Sequence, residues 1–524
     1  DFDRVVLEIT DWKEKPGDRM MGRILQVLGA ESSIDMEMKS ILADKGFSLQ
    51  FPRAVELEMD QLVEDVRDLD KRKDFRDVLT FTIDPIDAKD FDDALSVQKN
   101  ENGLLEVGVH IADVSYYVKP DSALDKEALK RGNSVYLVDR VLPMLPEKLS
   151  NELCSLRPNE DKLTFSVVFT FNDDMEVIHY WIGRTIIHSD KRFSYEEAQI
   201  IMDSGKGIHY KELTQINRIA EFLREERLKN GAIDFESTEV RFRLDANLQP
   251  VELMVKERKP AHMLVEEFML LANKYVAGYM AMKNKAIPIP FVYRIHDMPD
   301  PDKLEDFAIF AREMGVHLDF RTPKKISKSL NHLVEESRKN EDLKILQPLA
   351  IRTMAKAEYS IDNIGHYGLA FTNYAHFTSP IRRYADLLVH RILFENLHQE
   401  KRMKSNILEV QCRYISSQER KAMEAEREST KYFQILFMKK HVGERFDARI
   451  TGMNERGFYI EIPKTMCEGI LPFELLPDDY QLEKGRMSAR SNQSDEVFKI
   501  GHKITVQLKV ADLDDRELIF ELPE

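Results

Sequence analysis

From Thr82 to Ala94 the chain reads Thr-Ile-Asp-Pro-Ile-Asp-Ala-Lys-Asp-Phe-Asp-Asp-Ala, which places five aspartates (84, 87, 90, 92 and 93) within ten residues. Like charges this close make ionisation costly, and proteins tolerate the arrangement where cations offset it. Carboxylate oxygens are hard donors, suited to magnesium or manganese. The segment is not an EF-hand loop. Counting Asp84 as the first position, Lys89 stands where glycine is required and Leu95 where a glutamate is required. The competing interpretation is a solvated acidic loop. Phe91 within the segment and the apolar run Val78–Ile83 before it argue for an ordered, partly buried loop instead.

A second chemical segment is Ala375-His-Phe-Thr-Ser-Pro-Ile-Arg-Arg-Tyr-Ala-Asp386. Ser379 suits an N-cap and Pro380 a first helical residue, so the sequence predicts a helix starting there, with Arg382 and Arg383 in its first turn. The helix dipole disfavours cations at that end. Two guanidinium groups beside free backbone amides therefore describe an anion site, and phosphate is the obvious anion. The alternative is a local ion pair, because Asp386 lies four residues after Arg382 and three after Arg383.

These segments need a scaffold. At 524 residues the chain is too long for one ordinary core, and roughly two to four domains are expected. With 43% hydrophobic and 32% charged residues, the composition is that of a soluble protein. No run of about 18 apolar residues suggests a membrane span. The first residue is Asp and no leader-like pattern follows, so the chain reads as a cytoplasmic protein or a fragment of one. Cys154, Cys412 and Cys467 are widely spaced and odd in number, which fits buried thiols rather than disulfides or a zinc site. A net charge of −16 argues against a broad phosphate-binding surface, although a narrow channel can still be locally basic.

Residues 1–30 alternate like two strands around a turn containing Pro16 and Gly17, the expected tail of a small β-barrel. Residues 31–77 are charged and mostly helical, with Pro52 as a break. Strand-like runs occupy 78–180, and helices are predicted over 194–230 and 260–286. Residues 381–442 contain neither Gly nor Pro, so long helices are expected. From Gly443 to residue 524 short strands with glycine turns predict a separate five-stranded barrel.

The aspartate segment resembles the signature of the RNase II/RNase R (RNB) family, in which four aspartates hold the catalytic metals. On that pattern Asp84, Asp90, Asp92 and Asp93 match, and Asp87 is extra. Further family-like blocks are Val107–Val118, Leu142-Pro-Met-Leu-Pro146 with Leu149–Leu156, and Tyr293-Arg-Ile-His-Asp297. The resemblance covers residues 70–440. It implies an α+β fold with an RNB catalytic domain over 78–440, built from mixed sheets and long helices. OB-fold barrels are expected to flank it. The 1–30 strands would be the remnant of a cold-shock-like barrel, 31–77 a helical linker region, and 443–524 an S1-type RNA-binding barrel. Ile233–Ser237 and Arg382-Arg383 resemble RNase R more than RNase II.

The same resemblance implies a processive 3′→5′ exoribonuclease that releases nucleoside 5′-monophosphates by a two-metal mechanism. Magnesium is the expected cofactor, with manganese as a substitute, and the expected partner is the 3′ end of single-stranded RNA. A monomer with no membrane association is expected, and structured RNA with a 3′ overhang is a plausible substrate. Asp92 and Arg382 are the implied catalytic residues, with Arg382 steadying the scissile phosphate and Arg383 secondary. Tyr136 and Phe235 match base-stacking positions, with Phe242 as competitor to Phe235. Tyr195 and Glu266 match positions that contact the 3′ end and set product length. In the barrel, Phe446, Phe458 and Tyr459 are candidates for an RNA-facing surface. Two rivals remain: a catalytically inactive RNB-type RNA-binding regulator, and a metal phosphodiesterase for small nucleotides.

Overall fold

The apolar run before the aspartates forms the strand Thr80–Asp84, with Thr80, Phe81, Thr82 and Ile83 all buried. The run after them forms Asp93–Lys99. In the computed structural model, which describes residues 3–11, 21–30, 33–62, 69–235, 239–256, 258–283, 286–483 and 487–523, these two strands pair antiparallel within a seven-stranded sheet. The sheet order is Lys191–Ser194, Thr80–Asp84, Asp93–Lys99, Leu105–Ala112, Asp161–Phe171, Val177–His188, Lys73–Phe75. Interior pairs are antiparallel, whereas the outermost pair at each edge is parallel. The sheet thus takes in Lys73–Phe75, ahead of the expected edge at residue 78.

The strand Asp161–Phe171 is buried along almost its whole length, as expected where helices cover both faces of a sheet. One continuous apolar cluster joins the sheet to the helices Tyr195–Ser204, Tyr210–Lys229, Pro260–Lys283 and Tyr384–His398. Its fully buried phenylalanines, such as Phe81, Phe165, Phe268 and Phe377, each contribute about 1.5–3 kcal/mol through removal from water.

Helices Ile34–Asp44 and Arg53–Gln61 lie on either side of Pro52, and the first is capped by the Ser33 hydroxyl accepting from the Met36 amide at 3.0 Å. The stretch without Gly or Pro yields Tyr384–His398 and the 34-residue helix Ser405–Met438. The long helix buries Leu408, Cys412, Ile415, Ala422, Ala425 and Phe433, a stripe at helical spacing. Part of that stripe meets Met38, Ile41, Val135 and Leu137, so residues 34–44 are docked on the long helix.

The C-terminal strands Arg445–Asn454, Gly457–Ile462, Cys467–Pro472, Glu517–Glu521 and Lys503–Asp512 close into a barrel. Alternation along Gly457–Ile462 decides which aromatic faces where. Phe458 is fully buried against Phe473 and Phe498 and fills the core rather than facing RNA. Tyr459 is exposed, and Phe446 is half-buried. The barrel shares one apolar cluster with the helices Pro301–Glu313, Pro323–Lys339 and Leu346–Thr353. At the other end, Asp3–Asp11 and Met21–Ala30 form the expected antiparallel pair; its turn with Pro16 and Gly17 lies outside the described residues. Among the described residues no helix is long and apolar enough to cross a membrane.

Candidate active site

Asp84 ends one strand and Asp93 begins its antiparallel neighbour, so the hairpin brings the two ends of the acidic segment together. The intervening loop is held from outside. Arg192 donates to the carbonyls of Pro85 at 2.7 Å and Ile86 at 2.8 Å, and its guanidinium lies 5.2 Å from the Phe91 ring centre. Ser155 donates to the Lys89 carbonyl at 2.7 Å and accepts from the Phe91 amide at 2.9 Å. The loop is therefore ordered, as the sequence pattern suggested. Asp87 is exposed, whereas Asp92 is buried and Asp84, Asp90 and Asp93 are half-buried.

Asp92 is only 5% exposed, and burial pushes its carboxyl well above the usual range against the opposing pull of Arg382. Asp84 is also raised, first by burial and then by the neighbouring Asp93 charge. Burial raises Asp93 and Asp90 in the same direction, again opposed by Arg382. One buried Asp84 oxygen has no hydrogen-bond partner. This donor set, hard and mutually destabilising when ionised, fits a divalent cation. As the side chains stand, no group of three or more His, Cys, Asp or Glu among the described residues could already hold an ion. The cluster matches a cation in donor chemistry and burial, not as a closed cage.

The arginine segment meets the acids through Asp92, whose Oδ1 accepts from the Ile381 amide at 2.9 Å and whose Oδ2 lies 3.7 Å from Arg382 Nε. The predicted helix start is corrected here. The helix begins at Tyr384, and residues 380–382 form a turn in which the Arg383 amide donates to the Ser379 carbonyl at 3.0 Å. Tertiary bonds override the local N-cap pattern. Asp92 takes the Ile381 amide, the Arg382 carbonyl accepts from Ser134, and Arg383 adopts an extended backbone bridged to Asn133. Arg383 forms the local ion pair with Asp386 at 2.7 and 2.8 Å, and its side chain is mostly buried. Burial alone would lower its pKa, but Asp386 outweighs this and raises it. Arg382 keeps a side chain 43% exposed, beside the acids.

Tyr136 reaches the same place. Its hydroxyl donates to Asp90 Oδ2 at 3.4 Å, and its backbone amide donates to Glu426 Oε1 at 3.0 Å. Burial raises the Tyr136 hydroxyl far above its ordinary value. Glu426, from the long helix, was not singled out in the sequence; one glutamate in a charged helix carries no local signal. Burial also raises its carboxyl, opposed by the Tyr136 amide and Arg382. Tyr195 opens its helix beside the acids. Burial raises its hydroxyl, with Asp93 and Asp84 adding to the shift, and its ring stacks on His262 at 4.1 Å. Glu266 accepts from Arg258 at 2.5 Å and lies close enough to Tyr195 to influence it. The structure thus gathers Asp84, Asp90, Asp92, Asp93, Arg382, Tyr136, Tyr195 and Glu266 in one region. Phe235 is placed differently, half-buried against the cluster shared by the barrel and the helices of residues 301–353. Glu236 and Ser237, which follow it in the same motif, lie outside the described residues. Phe242 packs on Phe433 at 5.8 Å, a core position. A cleft of about 530 Å3 runs between the long helix and the barrel, lined among others by Glu426, Arg427, Lys431, Gln434 and Tyr459.

Comparison with known proteins matches residues 72–399 to the RNB domain, 1–52 to a cold shock domain and 439–522 to the S1 RNA binding domain. Ribonuclease R 1 of Lactococcus lactis is 37% identical over 537 residues, covering 99% of this chain and 64% of the relative. Ribonuclease R of Thermotoga maritima is 38% identical over 538 residues, covering 99% of this chain and 75% of the relative. Among solved structures, Mycoplasma genitalium RNase R in complex with ribose-methylated single-stranded RNA superposes with a TM-score of 0.89 at 27% identity, covering 96% of this chain and 80% of that one. The chain therefore spans about two thirds to three quarters of the length of these two curated relatives.

Proposed function

Because this chain belongs to the RNB-domain family, we propose that it is a 3′→5′ exoribonuclease that hydrolyses single-stranded RNA and releases nucleoside 5′-monophosphates. The observation that carries the reading is Asp92, which belongs to the buried acid cluster and also fixes the turn that presents Arg382. Acids able to hold cations and a guanidinium able to meet a phosphate then share one short span of space.

Asp84, Asp90, Asp92 and Asp93 would hold divalent cations, magnesium in the cell. When bound, these cations supply Lewis-acid activation of the attacking water and charge neutralisation at the departing 3′ oxygen. The remaining work falls to the chain. Arg382, half-exposed and only loosely engaged by Asp92, offsets charge growing on the phosphoryl oxygens. Tyr136 offers a ring for stacking a base next to the acids, and stacking is tolerant of sequence. Phe235, matched by resemblance to the opposing face of such a clamp, packs against the cluster shared with the barrel and is given no part in it. Tyr195 and Glu266 contact the terminal nucleoside and limit how short a product can become. The cleft from Glu426 to Tyr459 carries RNA from the barrel surface towards the acids, its Arg427 and Lys431 meeting phosphates despite the acidic whole. Side chains that stack and clamp one strand favour processive action on single-stranded 3′ ends.

Product analysis on 5′-labelled RNA and DNA of equal sequence tests the reading, with the Asp92→Asn protein as control. Conversion of full-length RNA to a short 5′-labelled end product with few intermediates, and release of 5′-monophosphates, is expected, with DNA left intact. Internal cuts, or release of diphosphates that depends on added phosphate, would overturn it. RNA degradation that persists in the Asp92→Asn protein would overturn the site assignment.

A further inference from the structure

Ser379 was expected to cap a helix, yet its hydroxyl caps nothing there: the helix begins five residues later, at Tyr384, and has no side-chain cap. The hydroxyl instead accepts from Arg382 Nη2 at 3.2 Å. Ser379 is itself fixed at its backbone. Its amide donates to Asp386 Oδ1 at 2.7 Å, and its carbonyl receives the Arg383 amide at 3.0 Å. Asp386 is completely buried, and each of its oxygens is engaged. Oδ1 serves Ser379 and Arg383 Nη2, and Oδ2 serves Arg383 Nε. The segment just upstream is held in the same way. Asn273 accepts from the Phe377 amide at 2.7 Å, and the His390 ring bonds to the Phe377 carbonyl at 2.7 Å.

We propose that Ser379 and Asp386 are positioning residues for Arg382: buried Asp386 fixes the Ser379 backbone, and the Ser379 hydroxyl holds one end of the Arg382 guanidinium. The inference rests on the role given to Arg382 above. A long, half-exposed arginine has many rotamers, and freezing it before substrate arrives removes an ordering cost from the reaction step. Asp92 lies 3.7 Å from Nε, too far for a firm hydrogen bond, so the Ser379 contact is the closer of the two restraints. Arg383 then acts as the other half of a brace: its charge is already met by Asp386, and it holds that carboxylate still.

A positioning role differs from a structural one in whether it acts through Arg382. The experiment is a double-mutant cycle with Ser379→Ala and Arg382→Ala, reading kcat and KM on a short RNA and the thermal midpoint of each protein. Ser379→Ala removes one exchangeable hydroxyl and keeps the turn, so it folds where Asp386→Ala would leave Arg383 buried and unpaired. Arg382→Ala is expected to lower kcat about 100- to 1,000-fold. Ser379→Ala is expected to lower kcat about 10-fold with KM within about 2-fold, and to cost nothing further once Arg382 is gone. Asp386→Asn, which keeps an acceptor for the Ser379 amide, should retain more kcat than Asp386→Ala. Full additivity of Ser379→Ala and Arg382→Ala, or an unchanged kcat in Ser379→Ala, overturns the positioning role. An unchanged kcat in Arg382→Ala overturns the reading of Arg382 itself, so the two failures are distinguishable.

Discussion

Four carboxylates in the 84–93 segment are held above their ordinary titration range, chiefly by burial. Their native-state pKa values exceed the unfolded ones, so the native state binds more protons. The stability they contribute is complete below the ordinary carboxylate range, about pH 4, and is lost as pH rises through the raised values. Cations compete with those protons and bind better as pH rises. In chelator, the thermal midpoint is therefore expected to fall between about pH 5 and about pH 8. Manganese should restore it at the higher pH and change little at the lower one, and Asp92→Asn should blunt the response. Calorimetry at both pH values checks this, and a manganese shift that is equal at both would contradict it. The acids were legible in sequence because Phe91 within the acidic run and the apolar run Val78–Ile83 before it mark an ordered loop rather than a solvated one. The Arg383–Asp386 pair was legible only as one of two alternatives, since spacing cannot say which arginine turns inward. Glu426 was not legible at all, because its partner Tyr136 lies 290 residues away.

At the scale of elements, what could be anticipated followed from local pattern, and what could not followed from distant pairing. The long helices after residue 381 were foreshadowed by the absence of Gly and Pro, and the barrel by short strands with glycine turns. The sheet order was not, because Thr80–Asp84 pairs with Lys191–Ser194 across more than a hundred residues of chain. The start of the Tyr384 helix was misplaced for the same reason: the bonds to Asp92, Ser134 and Asn133 that redirect the turn come from elsewhere in the fold. In the barrel, Gly457 stands opposite Pro472, and a Cβ there would meet the Leu471 carbonyl oxygen at 2.2 Å and Pro472 Cα at 2.8 Å. Gly457→Ala is expected to destabilise the barrel by roughly 1–3 kcal/mol or more. Its affinity for an RNA of about 20 nucleotides should fall while turnover of the shortest substrates changes little, if the barrel meets RNA upstream of the acids. Limited proteolysis and binding measurements on long and short RNA check both halves.

For the whole molecule, a net charge of −16 means that any contact to a phosphate backbone must come from a few placed cations rather than from a broadly basic surface. Arg427 and Lys431 line the cleft together with Glu426, Glu468 and Glu517, and Arg382 stands beside the aspartates. The barrel is also not an appendage. Ile450, Phe458, Leu471 and Leu508 share an apolar cluster with Leu304, Phe307, Leu330 and Leu346 of the helices within residues 301–353. Removing residues 443–524 should therefore expose that helical surface and yield an aggregating protein with a lowered thermal midpoint. Light scattering of the truncated protein measures this; a monodisperse product with an unchanged midpoint would refute the shared core. The sequence announced a separate barrel because its turn pattern is self-contained, but it gave no sign of the shared face, since apolar residues do not name their partners.

The double engagement of Asp92 has a practical bearing on any attempt to freeze RNA in place. An asparagine at that position still offers an oxygen to the Ile381 amide, so the turn beneath Arg382 survives, whereas an alanine leaves that amide unanswered. A silent Asp92→Asn protein should therefore be a faithful decoy, gripping its strand in the native pose. The Asp92→Ala protein would report two lesions as one.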